Sequence, residues 1–166
     1  MHNESTWQHG IGRLALVAWI FVLVVGLAVA WAVYKSLTPP ADRYAVTGTF
    51  PTCPDRPSCV SSVDTNEVHA IEALQYCGDA AEVPATLATA LQATPGFKSL
   101  QGEDNYLHAV FVTPTMRYRD DLELLVRDDG SVDVRSVSRV GYRDFGVNRE
   151  RVEDLRARFA AVNDCP

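Results

Sequence analysis

The 166-residue chain has no Gly-x-Ser-x-Gly turn, no His-Glu-x-x-His pattern, no glycine-rich phosphate loop and no Cys-x-x-Cys pair. Each absence removes a class of chemistry. Without the first, no serine is marked as an exposed nucleophile with oxyanion donors beside it. Without the second and third, nothing points to a zinc peptidase or a nucleotide binder. Without the fourth, the usual thiol redox pair is missing. Cysteine is scarce, and its spacing, Cys-x5-Cys and then two scattered residues, matches no usual zinc site. Basic charge is also short: 13 basic and 20 acidic residues follow Lys35, a balance of −7. That excludes the electrostatic footprint of a nucleic-acid binder. There is no internal repeat and no low-complexity tract, and no cofactor or metal is implied.

What is present begins with an uncharged run of 21 residues, Leu14 to Tyr34. As a helix it is long enough to cross a hydrocarbon core of about 30 Å. Arg13 and Lys35 bound it, and Trp31 and Tyr34 suit a headgroup layer. A cleaved signal peptide competes, because Ala28-Val29-Ala30 offers a small-residue site. The apolar character runs on to Tyr34, so an uncleaved single-pass anchor is the preferred reading. Flanking charge is nearly balanced and does not orient it. The cysteines do: Cys53, Cys59, Cys77 and Cys165 all follow the run, as suits an oxidising compartment. The expected placement is the inner membrane, with the N-terminus cytoplasmic and the C-terminal domain periplasmic. Of three pairings, Cys53 with Cys59 and Cys77 with Cys165 is preferred, since Pro54 and Pro57 restrict the short loop. Loop entropy makes these bridges worth roughly 2 and roughly 4.6 kcal/mol.

The organisation expected is a tail over 1–13, a transmembrane helix over 14–34, a linker over 35–52 with Pro39, Pro40, Gly48 and Pro51, and an extracytoplasmic domain over 53–166. Within the domain a strand is expected over 68–76 and a helix over 84–93, started by Pro84 and stopped by Pro95-Gly96. Strands follow over 97–101 and 106–113. Tyr118, Leu122, Leu124 and Val126 then share one strand face, and Val132, Val134 and Val140 share another. Asp128-Asp129-Gly130 suits a three-residue loop between them. That loop sets Val126 against Val132, Leu124 against Val134, Leu122 against Ser136, and Glu123 against Arg135 on the outer face. A last helix is expected with Asn148 as its cap, Val147 and Val152 as a staple around it, Val152, Leu155, Phe159 and Val162 as its apolar stripe, and Arg151, Asp154 and Arg158 among its solvated residues. The fold class is α+β: an antiparallel sheet of about five strands with two helices on one face, in an order shared by TATA-binding-protein-like and helix-grip folds.

The same register exposes two unusual places. Asp120 falls opposite Ser138 on the apolar face, with Ser136 beside it and His108 near, where Val or Leu would be expected. A buried carboxylate there needs partners. The alternatives are hydrogen bonds that fix the sheet end, the polar end of a ligand pocket, or, least favoured, a hydrolytic set of aspartate, histidine and serine without a nucleophile turn. Arg119 falls opposite Arg139 on the outer face, with Arg117 one step along, which calls for Asp121, Asp144 or a bound anion between them. His69 and His108, as lone strand histidines, read as structural.

Three stretches, CPDRPSCVSS from Cys53 to Ser62, YLHAVF from Tyr106 to Phe111 and RSVSRVGYRDFGVNRERVEDLR from Arg135 to Arg156, together resemble the domain of unknown function 1499 family. Ser58 stands where that pattern usually has asparagine, and Arg143 where it often has serine. The resemblance implies a bacterial or plastid envelope setting and no established activity. The function expected is a non-enzymatic, membrane-anchored domain that binds a small or lipidic ligand or an anion. The alternatives are an interaction module of an envelope complex and, third, a hydrolase.

Overall fold

The structure, a computed structural model, describes residues 4–114 and 117–163. The chain divides into two compact units, Met1–Leu37 and Thr38–Pro166. The first is a single helix, α1 (Glu4–Leu37). Its stretch Arg13–Leu37 is long and apolar enough to cross a membrane, a test that a signal sequence near the N-terminus also passes. Apolar side chains are exposed all round it, from Leu14 to Val33. A helix with no polar face has no water-facing side in a globular setting.

The second unit is an α+β domain on an antiparallel sheet of six strands. A four-residue helix, α2 (Tyr44–Thr47), comes first. Strands β1 (Cys59–Ser61) and β2 (Leu74–Gln75), helix α3 (Val83–Gln92), strands β3 (Phe97–Glu103), β4 (Tyr106–Val112), β5 (Arg119–Val126) and β6 (Ser131–Ser138), and helix α4 (Val147–Ala160) follow. The sheet runs β1-β6-β5-β4-β3, and β2 also pairs with β6. The edge strand β3 breaks register between Phe97 and Ser99.

The central register is the one expected. Val126 pairs with Val132, Leu124 with Val134, Leu122 with Ser136 and Asp120 with Ser138. Gly130 takes φ 88° in the loop between β5 and β6, a conformation open to glycine at little cost. One face of this sheet carries Leu107, Ala109, Phe111, Leu122, Leu124, Val132 and Val134. Leu87 and Leu91 of α3 and Val152, Leu155 and Phe159 of α4 join them in one core. Truncating Phe111, fully buried there, costs about 3–5 kcal/mol.

Four expectations need correction. The strand expected over 68–76 shrinks to β2 and one bridge between Ser61 and Ala70. Arginines of α4 take the carbonyls a ladder would have used: Arg149 donates to Ala70 (2.9 Å), and Arg156 to Glu72 (2.6 Å) and Ala73 (2.9 Å). The short strand β1, next to the Cys53–Cys59 disulfide, was not expected. Val162 does not extend the stripe of α4; it is exposed.

The fourth correction concerns the sheet's second face. Glu123 and Arg135 do pair across it, but both are buried. The stretch read as a linker covers them. The Asp42 carboxylate meets Arg135 Nη2 at 2.8 Å, and the Tyr44 amide donates to Glu123 Oε1 at 2.8 Å. The Tyr44 ring stacks at 5.1 Å on Tyr106. Residues 42–50 thus form a strap over this face. Cys77 is also disulfide-bonded, while Cys165, its expected partner, lies outside the described residues.

Candidate functional site

The helix-covered face ends in a polar cluster where β5 begins and β6 stops. Asp120 is 1% exposed. Its Oδ2 accepts from Arg151 Nη2 at 2.7 Å, while its Oδ1 has no hydrogen-bond partner. Burial pushes the Asp120 carboxyl above its ordinary range; the Arg151 charge and the Ser138 hydroxyl act the other way without cancelling it. The Arg151 guanidinium also lies 4.8 Å over the Phe111 ring, a cation–π contact.

Asn148 joins the cluster together. Its Oδ1 accepts from Ser136 Oγ (2.6 Å) and Arg151 Nη1 (2.7 Å). Its Nδ2 faces the Ser58 carbonyl (3.1 Å), Ser138 Oγ (2.9 Å) and Asp144 Oδ2 (2.8 Å). This revises its role, because α4 starts one residue earlier, behind Gly146. Gly146 has no side chain to cap with. Asp144 does that work, accepting from the Gly146 amide (3.2 Å) and the Asn148 amide (2.9 Å). The cap is therefore outside the helix, and Asn148 is free to turn inward.

A cavity of about 560 Å³ opens beside this cluster, between the sheet end and the first turns of α4. Its walls are mainly apolar, with Pro95, Val112, Pro114, Val140, Phe145 and Val147, and its polar end holds Asp120, Ser138 and Arg151. Gly96, at φ +83°, lets the turn after α3 close against β4: an added Cβ would sit 3.0 Å from the Val112 carbonyl oxygen. At the mouth, Phe145 is 91% exposed and also has positive φ, 57°.

Residues 49–159 match the family described as Protein of unknown function (DUF1499). The chain belongs to that family. No curated protein matches it.

In this DUF1499 domain the residues singled out in the sequence divide between two faces. Asp120, Ser136 and Ser138 come together at the cavity end. His108 does not join them: it pairs in register with Glu123 on the strap side. There its Nε2 donates to Asp121 Oδ1 at 2.7 Å, and its Nδ1 accepts from Arg43 Nη1 at 3.3 Å. Only a neutral ring protonated at Nε2 satisfies both contacts. Arg139 grips the same Asp121 with two nitrogens, Nε at 2.8 Å and Nη2 at 2.7 Å. Asp121 is thus the carboxylate that meets Arg139, one of the two arginines. Burial raises the Asp121 carboxyl, but the Arg139 and His108 hydrogen bonds and charges outweigh it and hold it below its ordinary value. Arg119 contributes its carbonyl, which accepts from the Arg139 amide at 3.0 Å.

Sequence reasoning missed Arg151, which it placed among solvated residues although it is 8% exposed. A signal existed: Arg151 is four residues before Leu155 and three after Asn148, hence on the buried side of α4. Arg56 was missed too. It crosses to the cluster's backbone, donating to the Ser138 carbonyl at 2.6 Å and the Gly141 carbonyl at 3.2 Å. Ser136 Oγ donates to Asn148 Oδ1 and Ser138 Oγ accepts from Asn148 Nδ2, while Asp120, the carboxylate beside Ser138, is paired with Arg151.

Proposed function

We propose that this protein is a non-enzymatic, membrane-anchored envelope domain that binds a small amphiphilic ligand in the cavity between the sheet end and α4. One observation carries the reading: a mainly apolar cavity ends on the buried Asp120–Arg151 pair and Ser138. A volume of about 560 Å³ is in the range that small-molecule sites occupy. The apolar α1 supports the anchor, and the disulfides support an extracytoplasmic, periplasmic setting for the domain. The sheet with a long C-terminal helix against it supports the helix-grip-like reading of the fold.

An interaction module would instead need a continuous exposed apolar patch. Among the described residues of this unit the exposed large apolar side chains are Val46, Val68, Tyr142, Phe145 and Val162, from four separate segments, and Phe145 lines the cavity itself. Native mass spectrometry of the full chain, purified from its own membrane, tests the proposal. The expected spectrum contains a complex that loses one small molecule on activation. A mass equal to that of the bare oxidised chain in every preparation would sink the reading.

A further inference from the structure

Charges without a counter-charge are sorted to opposite ends of the sheet. Lys98, Arg117, Arg119 and Arg143 lie where β3 and β5 begin and β4 and β6 stop, and none of them is in an ion pair among the described residues. Arg56, on the Ser138 carbonyl, adds a fifth cation. Most carboxylates at this end are already engaged: Asp120 with Arg151, Asp121 with Arg139, Asp154 with Arg158, and Asp144 with amides at the start of α4. Glu150 and Asp55 remain against the five. The far end is the reverse. There the β3–β4 turn exposes Glu103 and Asp104 and the β5–β6 loop exposes Asp128 and Asp129, while Arg127 beside them is paired with Asp133. The eight residues of β5 set the two ends about 25 Å apart.

We infer that the basic end of the domain rests on an anionic lipid surface, with Tyr142 and Phe145 entering the headgroup layer. These two side chains, 67% and 91% exposed, flank Arg143 in the connector between β6 and α4. Phe145 is held outward at positive φ in a turn that Asp144 pins, through the Gly146 and Asn148 amides. Two aromatics are too few for the apolar centre of a protein interface, but aromatic rings beside basic residues are what a membrane–water boundary takes up one by one. The cations are spread over β3, the connection into β5 and the connector into α4, so they match a field of negative charges better than a single phosphate group. A chain with a balance of −7 after Lys35 is repelled by such a surface in every orientation but the one that turns its acidic end away. The cavity mouth, which Phe145 lines, then opens at the lipid surface. Docking of this end holds whatever the cavity contains.

The test uses the full-length chain in vesicles of phosphatidylcholine, with or without phosphatidylglycerol. One preparation carries p-benzoylphenylalanine in place of Phe145, another in place of the exposed Val162, about 20 Å away beyond the other end of α4. After irradiation, mass spectrometry identifies what each probe has joined. The expected result is lipid joined at position 145 in vesicles containing phosphatidylglycerol, at least about fivefold more than at position 162 or in phosphatidylcholine alone, and falling as salt is raised. Arg117→Ala and Arg143→Ala should each lower that yield about fivefold, the worth of one basic residue near an anionic surface. Equal lipid labelling at the two positions, labelling indifferent to phosphatidylglycerol and salt, or a second copy of the chain in place of lipid at position 145 would overturn the docking. The cavity reading, which native mass spectrometry tests, would stand in each case. The comparisons of position, lipid and salt decide even if the arginine variants do not fold.

Discussion

Asp121 holds a carboxylate in a place that water cannot reach, and its three contacts decide what the protein does in acid. Its pKa lies below the ordinary value in the folded state. The stabilisation is therefore present above the unfolded-state value, near 4, and is lost as pH falls through the folded value. Asp121→Asn should lower stability by about 3–5 kcal/mol at pH 7, because Arg139 would lose a bidentate partner while buried. Denaturation followed by circular dichroism should show the gap between variant and parent narrowing below about pH 4. Asp120 has the opposite sign. Its raised carboxyl contributes stability below the unfolded-state value and loses it as pH rises, so its net effect at neutral pH rests on Arg151. Asn148→Ala should cost about 3 kcal/mol in the same assay, since one side chain accepts from Ser136 and Arg151 and shares its two N–H groups among Ser138, Asp144 and the Ser58 carbonyl. If that variant unfolded at the parent's denaturant midpoint, its place as the junction of the cluster would be wrong.

At the scale of elements, the strap over residues 42–50 and the disulfide loop behind β1 separate what holds the sheet from what decorates it. Glu123→Ala removes a partner from a fully buried arginine and should cost about 3–5 kcal/mol. Asp42→Ala removes an exposed carboxylate from that same arginine and should cost at most about 1 kcal/mol. Equal losses in the two variants would mean that the strap, not the cross-strand pair, holds Arg135. Opening the Cys53–Cys59 loop by double substitution to serine should cost about 2 kcal/mol, read from the denaturant midpoint. The β5–β6 register was legible because alternation and loop length leave one solution that keeps Val126, Leu124 and Leu122 on one side. The strap was not legible, because Pro39, Pro40, Gly48 and Pro51 have the composition of a linker whatever they touch. Its absence from the sequence reading also hid the burial of Glu123 and Arg135, since an alternating charged face normally faces water. The cavity was only half legible. Asp120 and Ser138 stood out against an apolar pattern, but Arg151 looked like a surface residue in a charged helix.

For the whole molecule, the decisive question is whether α1 is kept as a membrane span or removed as a leader. Alkaline carbonate washing should leave the chain in the membrane pellet, and removal of residues 1–37 should release it to the supernatant. Recovery of a mature protein beginning just after Ala30 would replace the anchor with a cleaved leader. The open sheet edge matters here as well. β3 leaves a row of backbone groups unpaired on its outer side, yet its register break, Lys98 and Glu103 spoil it as a template for another strand. Along this edge, crowded neighbours of the same kind therefore meet an interrupted border rather than a straight one.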